Sequence, residues 1–275
     1  MRYHGMENKF TSPRPSYLPR LALRMAACIG IGIFSSAVFA ASSPQPAQTT
    51  DRPVEIHQRL VVHGGENAVA LTLDACGGGF DADLIATLIE FHVPATIFAT
   101  RKWIDRHPEG IALLNAHREL FAIEDHGAAH IPAVIGVDKR VYGLRGEPDI
   151  AHLQDEIEGG ANAIASTGAP KPNWYRGATA RYDQAAVNAI NAMGYRIAGF
   201  SVNADAGATL PRRAIFARLR SVQPGDIILA HMNKPASESA EGLRDALPGM
   251  LQRGLQFVTL RWRAVETLAG GKKRR

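Results

Sequence analysis

From Glu55 to Leu268, short apolar runs alternate regularly with helical patterns, and this alternation limits the fold more than any other feature of the chain. Ala68–Leu73 reads as a fully buried strand, and a glycine-rich turn leads from it into a helix over about 82–91. Pro94 precedes a second strand, Ala95–Ala99, and a helix near Glu109–Ala116 leads to a third, Leu120–Glu124. A long helix over Ile150–Ser166 comes before a short strand at Asn173–Tyr175, and a helix over Asp183–Met193 stops at Gly194. Strands at Tyr195–Phe200, Asp226–Ala230 and Gln256–Leu260 then alternate with helices at Arg212–Ser221 and Glu241–Arg253. About seven βα units in a row imply an α/β fold with a parallel sheet, either open or closed into a barrel.

In both architectures, chemically active side chains gather where strands end. Here Asp74 follows the first strand, His126 and His130 the third, Arg176 the fourth, Asn203 and Asp205 the fifth, and His231 the sixth. A carboxylate at the end of an apolar strand is costly unless it is paired, and Arg176 is the partner that would keep Asp74 ionised as a general base. His231 closes the apolar run Ile227–Ala230, with Asp205 as the group that would hold it protonated as a general acid. His126 and His130 stand four residues apart, which on a helical turn puts both imidazoles on one face, able to hold one divalent ion. Each of these residues taken alone reads equally well as a satisfied ion pair or a surface histidine. Their joint order is what points to a metal-assisted hydrolase. His57, His92, His107, His117 and His152 lie in helix-like or surface contexts and read as solvated side chains.

Charge suggests a different partner until it is located along the chain. The 31 Lys and Arg against 26 Asp and Glu give a net +5. The first forty residues hold +4 of it, from Arg2, Lys9, Arg14, Arg20 and Arg24 against Glu7, and Lys272–Arg275 hold another +4. The body between them is therefore acidic, at −3, and no nucleic-acid partner is expected. The apolar run Met25–Ala40, closing on Val38-Phe39-Ala40, reads as the end of a signal peptide spanning 1–40. At sixteen residues it is short for a transmembrane helix, and no stable membrane span is expected after cleavage. Residues 41–54 read as a flexible linker, 55–269 as the barrel domain and 270–275 as a basic tail, so the expected location is periplasmic or secreted. Cys28 would leave with the signal peptide, and Cys76 would then be a lone thiol.

Five segments in order resemble the motifs of the polysaccharide deacetylases of the NodB-homology type, carbohydrate esterase family four. Thr72–Gly77 resembles the first motif, Thr-Phe-Asp-Asp-Gly, and His126 with His130 match the His-x-x-x-His motif. Tyr175–Thr179 corresponds to the Arg-Pro-Pro-Tyr element, Phe200–Asp205 to the fourth motif, and Gly225–His231 to the last, Gly-x-Ile-Ile-Leu-x-His. The resemblance covers roughly residues 66–262 and implies a distorted (β/α)7 barrel that removes acetyl groups from amino sugars with a divalent metal, zinc being the ion expected.

It also implies that Asp74, His231, Arg176 and Asp205 are the catalytic set, that His126 and His130 hold the metal, and that Tyr175, Thr179, Tyr182 and Asn203 contact the substrate. Ala75 replaces the family's second Asp, a metal ligand. The third ligand is then either the thiolate of Cys76 or Asp74 itself, with another carboxylate such as Asp81 as base. The Pro-Pro-Tyr residues are missing, which leaves the backbone N–H after Arg176 as the oxyanion donor. Gly77–Gly79 would let backbone pass close to the metal and a sugar, with Asp81 capping the next helix, since no Gly-Lys-Ser/Thr follows to make a phosphate loop.

Trp103, Tyr142, Trp174 and Tyr182 are the candidates for stacking on pyranose rings. The expected function is removal of acetyl groups, N-deacetylation above all, from an acetylated cell-wall or extracellular polysaccharide or oligosaccharide. The rival readings are a hydrolase of the same barrel acting on a non-sugar amide and a non-catalytic glycan-binding module with a decayed metal site.

Overall fold

The central strand, β1 (Ala68–Ala75), is buried along its whole length because each of its faces meets a different apolar layer. Val69, Leu71, Leu73 and Ala75 pack toward the helices, while Ala68 and Ala70 point into the interior with Phe98, Trp174 and Leu229. The other strands of the same sheet are β2 (Ala95–Ala99), β3 (Phe121–Asp125), β4 (Trp174–Tyr175), β5 (Arg196–Ile197), β6 (Val202–Asn203), β7 (Ile227–His231) and β8 (Gln256–Phe257). Their order is β5-β4-β3-β2-β1-β7-β6, every pair is parallel, and β8 pairs with the first residues of β1. This computed structural model describes residues 52–268. The expected signal peptide, all of the linker before residue 52 and the basic tail lie outside the described residues.

Helices α1 (Ala82–Glu90), α2 (Arg101–Arg106), α3 (Pro108–Ala116), α4 (Ile150–Ser166), α5 (Gln184–Ala192), α6 (Arg212–Leu219) and α7 (Ser239–Gln252) supply the crossovers. Local chemistry explains several of their starts. The side chains of Asp81, Thr100, Asp149 and Asp183 accept the free N–H groups that open α1, α2, α4 and α5, and a proline opens α3. Among the described residues no helix is long and apolar enough to cross a membrane.

Parallel strands wrapped by helices make the expected distorted (β/α)7 barrel. β5 and β6 are the two ends of one extended stretch, Arg196–Asn203, which pairs with β4 through its first residues and with β7 through its last. The segment Ile56–Leu60 bonds to this stretch and to the turn before β7: Gln58 N donates to Phe200 O at 3.1 Å, Leu60 N donates to Gly225 O at 2.8 Å, and the Gln58 side chain accepts from Gly199 N at 2.7 Å. The same arm pairs antiparallel with Val265–Thr267, and Val54–Glu55 pairs with Arg181–Tyr182. The polar ends of β1, β2, β3 and β7 thus meet at one end of the barrel, with Asp74 in register with His231 on one side and Phe98 on the other.

Helix α4 lies so close to the loop after β3 that it has no room for a side chain at Gly160. A Cβ there would fall 2.1 Å from Asp125 Oδ1 and 2.8 Å from the backbone of Gly127. Gly160→Ala, which in an open helix adds up to about 1 kcal/mol of stability, is expected here to remove roughly 1–3 kcal/mol. Thermal unfolding should show a lower Tm, and an unchanged or raised Tm would refute the close packing.

Candidate active site

Arg176 has no solvent exposure, and its guanidinium lies inside the barrel. Nη1 donates to Asp74 Oδ1 at 2.8 Å and Thr72 Oγ1 at 2.9 Å, Nε donates to Ala198 O at 3.1 Å, and Nη2 donates to Gly199 O at 3.2 Å. The cation also rests 4.2 Å from the centre of the Phe98 ring. Burial on its own would raise the Asp74 pKa, but the charge of Arg176, helped by that of His231, outweighs it and holds the carboxyl below its ordinary range. Asp74 is therefore an ionised carboxylate with one oxygen bound to Arg176 and the other, Oδ2, 3.7 Å from His126 Nε2.

The segment His126–His130 is an irregular loop, not the helical turn that the spacing predicts. Both Gly127 and His130 take positive φ, +85° and +64°. Glu156 on α4 holds the loop in this shape: its carboxylate accepts from Ala129 N and Ile131 N, and its carbonyl accepts from Ala128 N. His126 Nδ1 donates to Arg176 O at 2.5 Å, an assignment that leaves Nε2 free of hydrogen and turned toward Cys76 Sγ, 3.5 Å away. The two imidazoles stand edge to face with centres 4.9 Å apart. Burial pulls both pKa values down, that of His130 to about 3, so both rings are neutral.

Ala75 faces the helix layer, so no donor can come from its position, and the next residue, Cys76, turns into the site. Donor atoms of Cys76, His126 and His130 all lie within 4.8 Å of one another. Burial, reinforced by the nearby Asp74 charge, raises the thiol pKa well above its ordinary value, so Cys76 is a neutral thiol unless a cation displaces its proton. Two neutral imidazoles and one sulfur fit a borderline-soft divalent ion such as zinc. Helix α2, which the sequence patterning does not reveal, keeps this turn in place. Trp103 Nε1 donates to Gly79 O at 2.8 Å, Arg106 donates to Gly77 O at 2.6 Å, and Thr100 Oγ1 donates to Cys76 O at 2.8 Å. Across the turn, a Cβ on Gly78 would fall 2.2 Å from Asn233 O, which makes glycine obligatory there.

At the end of β7, His231 Nδ1 bonds Asp205 Oδ1 at 2.9 Å, and its backbone N–H donates to Asp205 Oδ2 at 2.8 Å. Ser239, at the start of α7 and not anticipated from the sequence, donates to the same Oδ2 at 2.9 Å. Burial lowers the His231 pKa, yet the hydrogen bond and charge of Asp205, helped by Asp74, more than reverse this and hold the imidazolium above its ordinary value. Asp205 is held below its ordinary value because its bonds and attraction to His231 and the Ser239 bond overcome its own burial.

These groups share one cavity of about 520 Å³, lined by Asp74, Cys76, His126, His130 and His231, with Tyr142, Thr179, Asn203 and Lys234 around them. Among the described residues seven non-glycine residues have positive φ, and five of them, His130, Tyr142, Thr179, Ala180 and Ala206, line this cavity. Backbone strain is thus concentrated where the chemistry would be.

Several expected contacts are corrected here. Tyr175 and Tyr182 do not face the cavity; both are fully buried in the core between α4, α5 and the sheet. The Tyr182 hydroxyl accepts from Gly177 N at 2.9 Å, which removes the N–H after Arg176 as an oxyanion donor. Trp103 and Trp174 are also core residues. Asp81 caps α1 and does not line the cavity. Asn203 does line it, although its side-chain oxygen is occupied by Ala206 N at 2.8 Å.

The profile of the polysaccharide deacetylase family matches residues 62–198, a span that holds Asp74, Cys76, His126, His130 and Arg176. The chain belongs to the polysaccharide deacetylase family. Among curated proteins no sequence relative matches. Solved structures share the deacetylase fold at low identity. A peptidoglycan N-acetylglucosamine deacetylase superposes with a TM-score of 0.60 at 19% identity, covering 71% of this chain and 87% of that one. A family 4 carbohydrate esterase from Streptomyces lividans, in complex with acetate, gives 0.54 at 19% identity over 70% of this chain and 91% of that one. A family 4 pseudoenzyme from Bacillus anthracis gives 0.59 at 17% identity over 72% of this chain and 65% of that one.

In this deacetylase fold the buried Asp74–Arg176 pair should dominate the response to mutation. Arg176→Met leaves a buried carboxylate without its cation and is expected to cost roughly 3–5 kcal/mol in urea unfolding, with part of the loss recovered by adding Asp74→Leu. A single-variant cost under about 1 kcal/mol would show that the pair is not buried as described.

Proposed function

We propose that this polysaccharide deacetylase is an active, metal-dependent hydrolase that removes N-acetyl groups from a cell-wall or extracellular glycan. The observation that carries the reading is the completeness of both proton-transfer pairs. Asp74, paired with Arg176, and His231, paired with Asp205, occupy adjacent register positions on neighbouring strands, in the cavity that also holds Cys76, His126 and His130. A decayed binding module has no need to keep a carboxylate ionised and an imidazole protonated side by side in one cavity. Export is part of the proposal and rests on the apolar run Met25–Ala40 behind five basic residues.

Cys76, His126 and His130 would hold the metal, which when bound supplies Lewis-acid activation of the acyl oxygen and of water. Asp74, ionised by Arg176, takes a proton from the attacking water as its oxygen bonds to the acetyl carbon. To the Thr179 amide, which donates to no group among the described residues and belongs to a residue lining the cavity, we assign the backbone hydrogen bond to the developing oxyanion. His231 passes its proton to the departing sugar nitrogen as the C–N bond breaks, releasing acetate and the amine.

Purified protein should contain close to one divalent ion per chain and release acetate from some member of a panel of N-acetylated glycans. Chelator should abolish both, and Cys76→Ser should lose the ion together with activity. Metal-loaded protein that releases no acetate across the panel would refute the function.

The proton carried by His231 makes a separate test. Activity should fall as pH rises through the His231 pKa, which lies above the ordinary histidine value because of Asp205. Asp205→Asn removes that charge and should move the alkaline limb of the kcat/KM profile about one unit or more toward lower pH. A limb that does not move would take the general-acid role away from His231.

A further inference from the structure

The hairpin Arg140–Val141/Leu144–Arg145 turns at Tyr142 and Gly143, both with positive φ, +51° and +82°. Two such residues between paired strands make the tight hairpin turn that asparagine, aspartate or glycine occupies at little cost. A tyrosine in the first position is conformationally expensive, and it contributes nothing to the core, because its side chain is 73% exposed. It nevertheless lines the catalytic cavity.

Its position is fixed from outside the hairpin. Arg181 Nε donates to the Tyr142 hydroxyl at 3.0 Å, and the guanidinium stands 5.4 Å from the ring centre. Arg181 is itself braced by Pro53 O at 3.3 Å and by Glu55 at 3.9 Å, on the strand that pairs with Arg181–Tyr182. Glu55 is also part of the cavity wall. The result is an aromatic ring pinned at its polar end and otherwise open to solvent, beside a carboxylate, at the mouth of a polar cavity.

We propose that Tyr142 is the platform of a second sugar subsite, stacking on the C–H face of the pyranose next to the residue that loses its acetyl group. A ring held in advance loses little freedom on binding, and the apolar face of a pyranose is the part of a glycan that an aromatic ring recognises. Glu55, on the wall of the same cavity and held by His57 at 3.2 Å and Arg181 at 3.9 Å, would be the carboxylate to accept a hydroxyl hydrogen of that sugar. This assignment rests on the glycan reading of the site and makes the enzyme sensitive to chain length.

The test compares native protein with Tyr142→Ala and Tyr142→Phe on N-acetylglucosamine oligomers of one to five residues, reading kcat and KM. Calorimetric binding of the corresponding deacetylated oligomers gives a readout independent of turnover. Tyr142→Ala should be weaker by on the order of two- to tenfold on oligomers, in KM and in affinity and not in kcat, with a smaller loss on the monomer. Tyr142→Phe, which keeps the ring, should retain most of the native preference. An equal loss at every length, or no loss at any length, would overturn the subsite, as would native protein that binds no oligomer. Native protein that binds oligomers in this Tyr142-dependent way but releases no acetate would leave the subsite standing and remove the deacetylase reading instead.

Discussion

A guanidinium cut off from water is stable only if its donors find acceptors, and Arg176 meets this condition with groups from separate stretches of the chain. Thr72 and Asp74 come from β1, the carbonyls of Ala198 and Gly199 from the turn beyond β5, and the ring of Phe98 from β2. A lysine could not replace it, because a point charge on a flexible stem does not reach three directions in one plane. Through its side chain Arg176 keeps a carboxylate ionised in the barrel interior, and through its own carbonyl it turns His126 toward Cys76. The proposed base and the orientation of one proposed metal ligand therefore depend on the same residue. Such a network gains little stability over an apolar core, but it leaves one arrangement in which no charge is stranded.

The site is divided between rigid and strained parts. Asp74 and His231 project from paired strands, where ladder hydrogen bonds hold the backbone. His130, Thr179 and Ala206 sit on turns with unfavourable backbone angles, kept there by contacts from outside the turn. Glu156 does this for the histidine loop, and Asn203 for the turn at Ala206. The side chains proposed to transfer protons thus sit on the sheet, and those that shape the cavity sit on loops.

Much of this was legible in the sequence, and the parts that were not have identifiable causes. Strand β1 is a continuous apolar run because it is covered on both faces, so its existence and its closing Asp74 could be read directly. The order of Asp74, His126, Arg176, Asp205 and His231 followed from the same logic of strand ends. Helix α2 is six residues long, too short to show a period. The four-residue spacing of His126 and His130 suggested a helix, but Glu156, distant in sequence, holds a loop instead. Tyr175 and Tyr182 lie in a motif that suggests substrate contact, yet strand alternation and the turn at Gly177 send both rings into the core. The sequence leaves Cys76 and Asp74 as alternatives for the third ligand, and proposing Cys76 depends on Ala75 facing the helices and Asp74 being engaged with Arg176. For the histidine loop and for Asp74 the deciding contact is made by a residue far away along the chain, Glu156 in the one and Arg176 in the other.

The arm Ile56–Leu60 bears on the order in which this barrel can assemble. It lies ahead of every strand of the main sheet in sequence, yet it bonds to Phe200 and Gly225 and pairs with Val265–Thr267. Contacts so distant in sequence are slow to form, and the arm has its full set of partners only after every other strand of the barrel has been made. A barrel that ties its first element to its last delays its own completion, and for that interval it remains a thread and not yet a container.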